Sequence, residues 1–482
     1  MSPGRRPGLA LGCVAAALAV TVVPTLAQGF RAQFDGRGSF IEMRPLARDS
    51  VPESQVPGDG LRRKLADGTW VSCTPDDFCR WYGAASTQMV SVITQDLRVS
   101  GWGGPPGLSG RVHVRGRFGS DEFWPGTRRD VDLVAAYADY DRGRIRAQVG
   151  RIGRSDGLGY YNFDGATFLY RGPGRFWIEG YAGSSLVTGL NEPRTGVVFA
   201  ETEDLPPDDR GWLLGARAGG QVGPVSGSVA YQRDIRTDRK ALYSERVAVD
   251  LRALVGRWAL DASTDFDWMT ATFNDARLRA TVMLPGDLEL SAEGRHFEPF
   301  FESWTIWGAF SPVGFDEARG AVAWRWAEHG LRFEASGGYR SYGDTGTQLE
   351  AQTVREDGWR LGGAGTWDGA GWSALLSYYA DVGPGAARYG GDASFGRSFG
   401  SSGFVSLRGS RTQTFGELRF NEQFVTGVGL DASWRIHDFS LNGGASIYRL
   451  DGTEQPDEDD WTQARAYGGV TVYFGRDPGM SR

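Results

Sequence analysis

The sequence predicts an all-β protein, an antiparallel transmembrane β-barrel of about 20 strands (roughly 18 to 22), with a small disulfide-containing β module at its N-terminal side. Three observations carry the prediction: a period-two alternation of apolar and polar residues from about residue 109 onward, connections that alternate between short and long, and no apolar run long enough for a membrane helix. The expected division is a signal peptide over 1–27, the module over 28–107, the barrel over 108–474 and a tail over 475–482.

The first residues set the compartment. Arg5 and Arg6 form a basic region, Leu9 to Val23 is apolar without a charge, and Thr25-Leu26-Ala27 supplies small residues for cleavage before Gln28. That is the pattern of a secretory signal peptide, and the apolar run of ~15 residues is shorter than the ~20 a spanning helix needs. A retained anchor is the weaker reading for that reason. Lipoprotein processing at Cys13 is weaker still, because Ala10-Leu11-Gly12 is a poor lipid-attachment signal.

Between the leader and the barrel the character differs. Leu61 to Leu65 and Trp70 to Cys73 flank an Asp67-Gly68 turn and read as a hairpin. Cys73 and Cys79 are close and even in number in an exported chain, which reads as a disulfide; a zinc site needs further Cys or His ligands, and none lie in this region. Val90 to Val99 is a further strand candidate, followed by the break Gly101-Trp102-Gly103-Gly104-Pro105-Pro106-Gly107. A module of about 80 residues with few apolar side chains gains from a staple. Its expected place is the periplasm or the barrel mouth.

The barrel strands follow one another. In 246–254, Val247, Val249, Leu251 and Ala253 oppose Arg246, Asp250 and Arg252. Trp258, Leu260, Ala262, Thr264 and Phe266 then oppose Asp261, Ser263, Asp265 and Asp267. Leu278, Ala280 and Val282 oppose Arg277 and Arg279, and Leu288, Leu290 and Ala292 oppose Glu289, Glu293 and Arg295. In 111–118, Arg111, His113, Arg115 and Arg117 oppose Val112, Val114 and Phe118. A soluble sandwich alternates in the same way. The membrane is favoured by aromatics near segment ends, such as Trp258 with Trp268 and Trp359 with Trp367, and by segments of ~9–12 residues, long enough to cross at a tilt.

Short turns are expected at 140–143, 171–174, 255–256, 285–287, 328–330, 368–371, 400–403 and 437–438. Longer polar or aromatic stretches alternate with them, among them 119–128, 152–164, 188–209, 296–316 and 341–357. Tight periplasmic turns and long external loops are the barrel pattern, and an even strand number returns both ends to the periplasm.

The chain closes on Ala466-Tyr467-Gly468-Gly469-Val470-Thr471-Val472-Tyr473-Phe474. This resembles the C-terminal signal of Gram-negative outer-membrane β-barrel proteins, porins among them, and the resemblance singles out Tyr467, Gly469, Val472 and Phe474. It implies an outer-membrane location and handling by the barrel-assembly machinery. In that group the closing aromatic is commonly the last residue; here Gly475 to Arg482 follow it. The architecture hosts many functions, so the resemblance names none.

Chemistry is sparse. No G-x-S-x-G elbow, H-E-x-x-H or phosphate loop occurs, and the histidines are 113, 296, 329 and 437. His296 stands near Glu298 and Glu302, which reads as a solvated loop. No catalysis, cofactor or metal is expected. The net charge of −7 argues against a nucleic-acid partner. Lumenal charge is expected from Arg111, Arg115, Arg117, Arg144 and Arg146 in the first strands, and from Asp261, Asp265, Asp267, Glu289 and Glu293 with Arg277 and Arg279 in the middle ones. Such rows either set a field across a wet pore or pair with each other. Phe300, Phe301, Trp304, Trp307 and Phe310 are expected either to narrow the pore and stack on a ligand or to pack on the wall, with Tyr160-Tyr161-Asn162-Phe163 a smaller case. The expected function is a channel for small hydrophilic solutes in outer-membrane lipid. The alternative is an anchoring, assembly or polymer-export protein whose module binds a periplasmic partner.

Overall fold

The computed structural model describes residues 29–476 apart from 45, 59, 67–69, 75–76, 85, 120–130, 187–210, 237–240, 299–313, 343–356, 384–385, 416–422 and 453–460. After β1 (Gly29–Met43) come four short strands, β2 (Leu46–Pro52), β3 (Arg62–Lys64), β4 (Trp70–Thr74) and β5 (Phe78–Ala84). Long strands follow: β6 (Gln88–Trp102), β7 (Leu108–Gly119), β8 (Val131–Arg142), β9 (Ile145–Asp156), β10 (Gly159–Arg171) and β11 (Trp177–Ser185). Next are β12 (Trp212–Val222), β13 (Val225–Arg236), β14 (Ala241–Val255), β15 (Trp258–Asp267), β16 (Thr272–Leu284) and β17 (Leu288–Phe297). β18 (Phe315–Trp326), β19 (Leu331–Tyr342), β20 (Asp357–Gly369), β21 (Trp372–Gly383) and β22 (Ala386–Phe399) continue the series. β23 (Gly403–Phe415), β24 (Gln423–Ile436), β25 (Phe439–Gly452) and β26 (Trp461–Arg476) end it.

β1 and β6 to β26 form one 22-stranded antiparallel sheet in which neighbours in sequence pair. It closes on itself, because β1 pairs with β26 (Phe34↔Val472) on one side and with β6 (Phe34↔Leu97) on the other. Closure removes the strand edges that could not survive in lipid. The apolar face of the alternation points outward: Leu251, Leu278, Leu376, Val428 and Leu430 are more than half exposed on the barrel's exterior. Exposed Trp258, Trp324, Trp326 and Trp434 stand near one end of their strands, and Trp212 and Trp268 near the other. This is the belt and paired aromatic girdles of a membrane-spanning barrel.

One end of the barrel carries both described chain ends and connections of no more than five residues, such as Gly143–Arg144, Gly223–Pro224 and His437–Asp438. The other carries the long connections. Gly143, Gly223, Gly256 and Gly330 hold positive φ in the short turns, where a residue without Cβ fits without strain.

The boundary expected at residue 107 is corrected by the sheet topology. The twenty strands β7 to β26 account for the expected count beyond that point, but β1 and β6 are wall strands too and bring it to 22. Glycines dilute the alternation of β1, whose outward face reads Phe34, Gly36, Gly38, Phe40, and so its strand signal is weak in sequence. The module is reduced to a four-stranded sheet in the order β2-β5-β4-β3, carried on the connection between β1 and β6. The Cys73–Cys79 disulfide joins β4 and β5, and Val56 and Val71 pack with it in a small core. That connection lies at the end of the barrel bearing the long connections, opposite both described chain ends.

Candidate functional site

The face opposite the apolar belt lines the lumen, and its charges are interleaved by sign. Asp96 on β6 accepts from Arg115 Nε at 2.9 Å and lies 2.5 Å from His113 Nε2. Arg98 pairs with Asp35, and Arg146 holds Asp139 through two bonds of 2.6 and 3.0 Å. Arg111 stands in register with Ser100 and Tyr137, and Arg117 with Thr94. Arg144 is not in a strand: it occupies the Gly143–Arg144 turn, where its carbonyl accepts the Arg171 amide. The aspartates on β1, β6 and β8 therefore offset the arginines of the first strands, a compensation that reading one strand at a time misses.

The middle strands behave alike. Arg246 pairs with Asp265, Arg252 lies 3.5 Å from Asp261, and Arg277 pairs with Glu293 at 2.5 Å. Arg279 stands in register between Asp261 and Glu293, and Glu289 lies opposite Met283. Asp267 is fully buried and accepts the Met269 amide at 2.7 Å. Near the long-connection end Arg295 binds Asp275, Arg340 meets Glu317 and Asp381, and Arg360 meets Asp381. His296 lies 2.8 Å from Asp316, its partner in register, but this pair falls on the outward face of β17 and β18 and is not part of the lumenal row. The lumen is a mosaic of ion pairs in which charges of opposite sign stand side by side.

One segment leaves the cylinder. β9 and β10 remain paired to their tip at Asp156↔Gly159, yet the inner face of this hairpin touches the wall beside it. Ile152 and Phe163 bury themselves against Tyr181 and Leu213 of β11 and β12. Arg154 donates to Glu179 at 2.6 Å, and Arg217 donates to both Glu179 (3.0 Å) and Asp156 (3.3 Å). Tyr161 donates to Asp156 at 2.7 Å and stacks on Tyr181. At the tip, Leu158 sits on Ala230 and Ala248, and its carbonyl accepts from Arg246 at 3.3 Å. In a flat sheet Arg154 and Glu179 would stand far apart, so the hairpin must turn inward.

The turn is made at three glycines in register, Gly150, Gly165 and Gly183. A Cβ on Gly165 would run into the Ala182 carbonyl, and one on Gly150 into the Ala136 carbonyl; Gly150 also has φ +131°. Backbone approaches this closely only where side chains are missing, which is how sheets are bent sharply. Next to the tip, toward the short-turn end, lies a lumenal cavity of about 580 Å³ whose lining includes Trp177, Ser228, Asp250, Arg252, Asp261 and Arg279.

Phe300, Phe301, Trp304, Trp307 and Phe310 lie outside the described residues. The inward-packed element among the described residues comes from 152–164, where aromatics and charges share one face between Gly150 and Gly165. On β26, Phe474 and Val472 take the outward face, whereas Tyr467 turns inward and donates to Asp431 at 2.5 Å, with Gly469 on the same inner face.

No family model matches the chain, and no curated protein matches it. Among solved structures, OccAB4 of Acinetobacter baumannii is 9% identical with a TM-score of 0.42, covering 94% of this chain and 100% of that one. The P pilus usher (PapC) translocation pore is 11% identical with a TM-score of 0.43, covering 93% of this chain and 99% of that one. The outer membrane protein OpdK from Pseudomonas aeruginosa is 9% identical with a TM-score of 0.37, covering 92% and 99%. Likenesses this distant carry no functional reading, which leaves the barrel's own geometry to supply one.

Proposed function

We propose that the protein is an outer-membrane channel for small hydrophilic solutes, narrowed on one side by the β9–β10 hairpin. The observation that carries this reading is a closed 22-stranded barrel whose outer face is apolar and whose inner face is a row of ion pairs. A barrel of this size encloses a lumen wide enough for water unless something fills it. The hairpin tip, lodged on Ala230 and Ala248, is such a filling element. Paired charges hydrogen-bond polar solutes while giving little net preference for one sign, and they repel apolar ones. The last strand, with Phe474 and Val472 facing lipid, supports delivery by the barrel-assembly machinery. No catalytic step, cofactor, metal or nucleic acid enters the reading.

With the short turns toward the periplasm, the Cys73–Cys79 sheet stands on the external rim. That argues against the alternative of an assembly or export protein whose module binds a periplasmic partner.

Liposome swelling tests the proposal. Proteoliposomes in isotonic sugar are expected to swell with a pentose and progressively less with a disaccharide and a trisaccharide. Failure to swell with the pentose overturns the channel reading.

A further inference from the structure

We infer that the barrel wall between β8 and β9 holds the hydrocarbon chain of a membrane phospholipid. The inference needs the barrel to span a membrane and does not depend on solute passage.

The ladder between β8 and β9 starts at Arg142↔Ile145 and ends at Ala136↔Arg151, where β9 turns into the lumen with its hairpin. β8 continues to Val131, paired with β7 on its other side. Among the described residues no strand follows β8 on the β9 side beyond Ala136. The inward turn thus leaves a notch in the outer wall. It forms a groove of about 660 Å³, with Leu133, Val149 and Trp212 on its sides and Ala136, Ala166 and Ala182 among its floor residues. The hinge glycines keep that floor low.

Depth fixes the occupant. Trp212 is 56% exposed at the start of its strand, on the long-connection side, where aromatic side chains mark the membrane interface. Just below it Leu133 and Val149 continue the exposed apolar belt, so the groove opens onto acyl chains. It is also polar along one edge. Arg151 donates to the Leu133 carbonyl at 2.8 Å across the notch and to both oxygens of Asp164 at 2.7 and 2.9 Å. Strand-edge groups at this depth need hydrogen-bond partners. A phospholipid supplies both parts, a chain for the groove and ester carbonyls for the remaining donors of Arg151. The driving force is contact, not hydrophobic transfer, since surrounding lipid is equally apolar and an empty groove forfeits dispersion contacts.

The test uses the full-length protein in vesicles of phosphatidylethanolamine and phosphatidylglycerol containing a phospholipid with a diazirine in mid-chain. After irradiation, label in the peptides carrying Leu133–Ala136 and Val149–Arg151 is expected to exceed that in β23 and β24 by about threefold, the modest preference that contact alone provides. Ala166→Trp, which fills the floor, should lower that labelling to the level of β23 and β24 while heat-modifiable gel mobility stays as in the wild type; Ala136→Trp serves if that variant does not assemble. Even labelling in the wild type overturns the inference, as does an excess that survives both substitutions. So does labelling by a free diazirine fatty acid without labelling by the phospholipid.

Discussion

Glycine serves opposite purposes on two sides of this barrel. In β22 to β26 several glycines lie beneath aromatic rings: a Cβ on Gly427 would meet the Tyr448 ring at 2.6 Å, and one on Gly403 the Trp434 ring at 2.3 Å. There the wall stays regular, from Ala387↔Phe415 across to Asn442↔Gly469. In β9 to β11 the row Gly150, Gly165 and Gly183 lies beneath backbone carbonyls, and the sheet folds inward. A ring can swing aside by a rotamer change, whereas a carbonyl tied into a ladder cannot. Single glycines beneath carbonyls, such as Gly358 and Gly475, leave the wall regular; it is the row of three in register that marks the bend.

The contrast can be broken by substitution. Gly165→Val places a branched side chain against a fixed carbonyl and should cost about 3 kcal/mol, read from urea unfolding in vesicles. An unchanged midpoint would remove the distinction between the two walls. Glu179→Ala takes the shared acceptor from Arg154 and Arg217, each mostly buried, and should cost about 2 kcal/mol while loosening the hairpin. The looser hairpin is checked by faster proteolysis within 153–162. Gly427→Ala should cost only about 1 kcal/mol, because the Tyr448 ring can yield. A loss equal to that of Gly165→Val would show that ring contacts are as rigid as backbone ones. Replacing Cys73 and Cys79 together with serine should move barrel unfolding by less than about 0.5 kcal/mol, since the small sheet has its own core. In intact cells the same variant should become open to added protease at 62–84, which checks that the module stands outside.

Much of the wall was legible because it repeats. Away from the inward hairpin and the wall it touches, each strand from β7 onward follows its own alternation, so Leu251 against Arg252 or Leu278 against Arg277 reads directly from the sequence. Local turns such as Val255-Gly256 carry their own conformational signal. The features that sequence reading misses depend on partners far along the chain. β1 is a wall strand because β26 and β6 lie on either side of it, and its glycines give no local sign of that. Arg115 looks like part of a basic row until Asp96, 19 residues away, is seen to face it. The inward hairpin was half visible: its aromatics marked 152–164 as unusual, but its target on Ala230 and Ala248 is fixed by the fold.

Single-channel conductance in a planar bilayer tests the central claim most directly. The wild type is compared with a variant in which 153–162 is replaced by Asn-Gly, which removes the hairpin above the Gly150 row. Stable openings in the wild type and a conductance about twofold larger in the variant are predicted, as expected when an element leaning into a wide barrel is taken away. Equal conductance in the two proteins, or a silent bilayer with both, would contradict it.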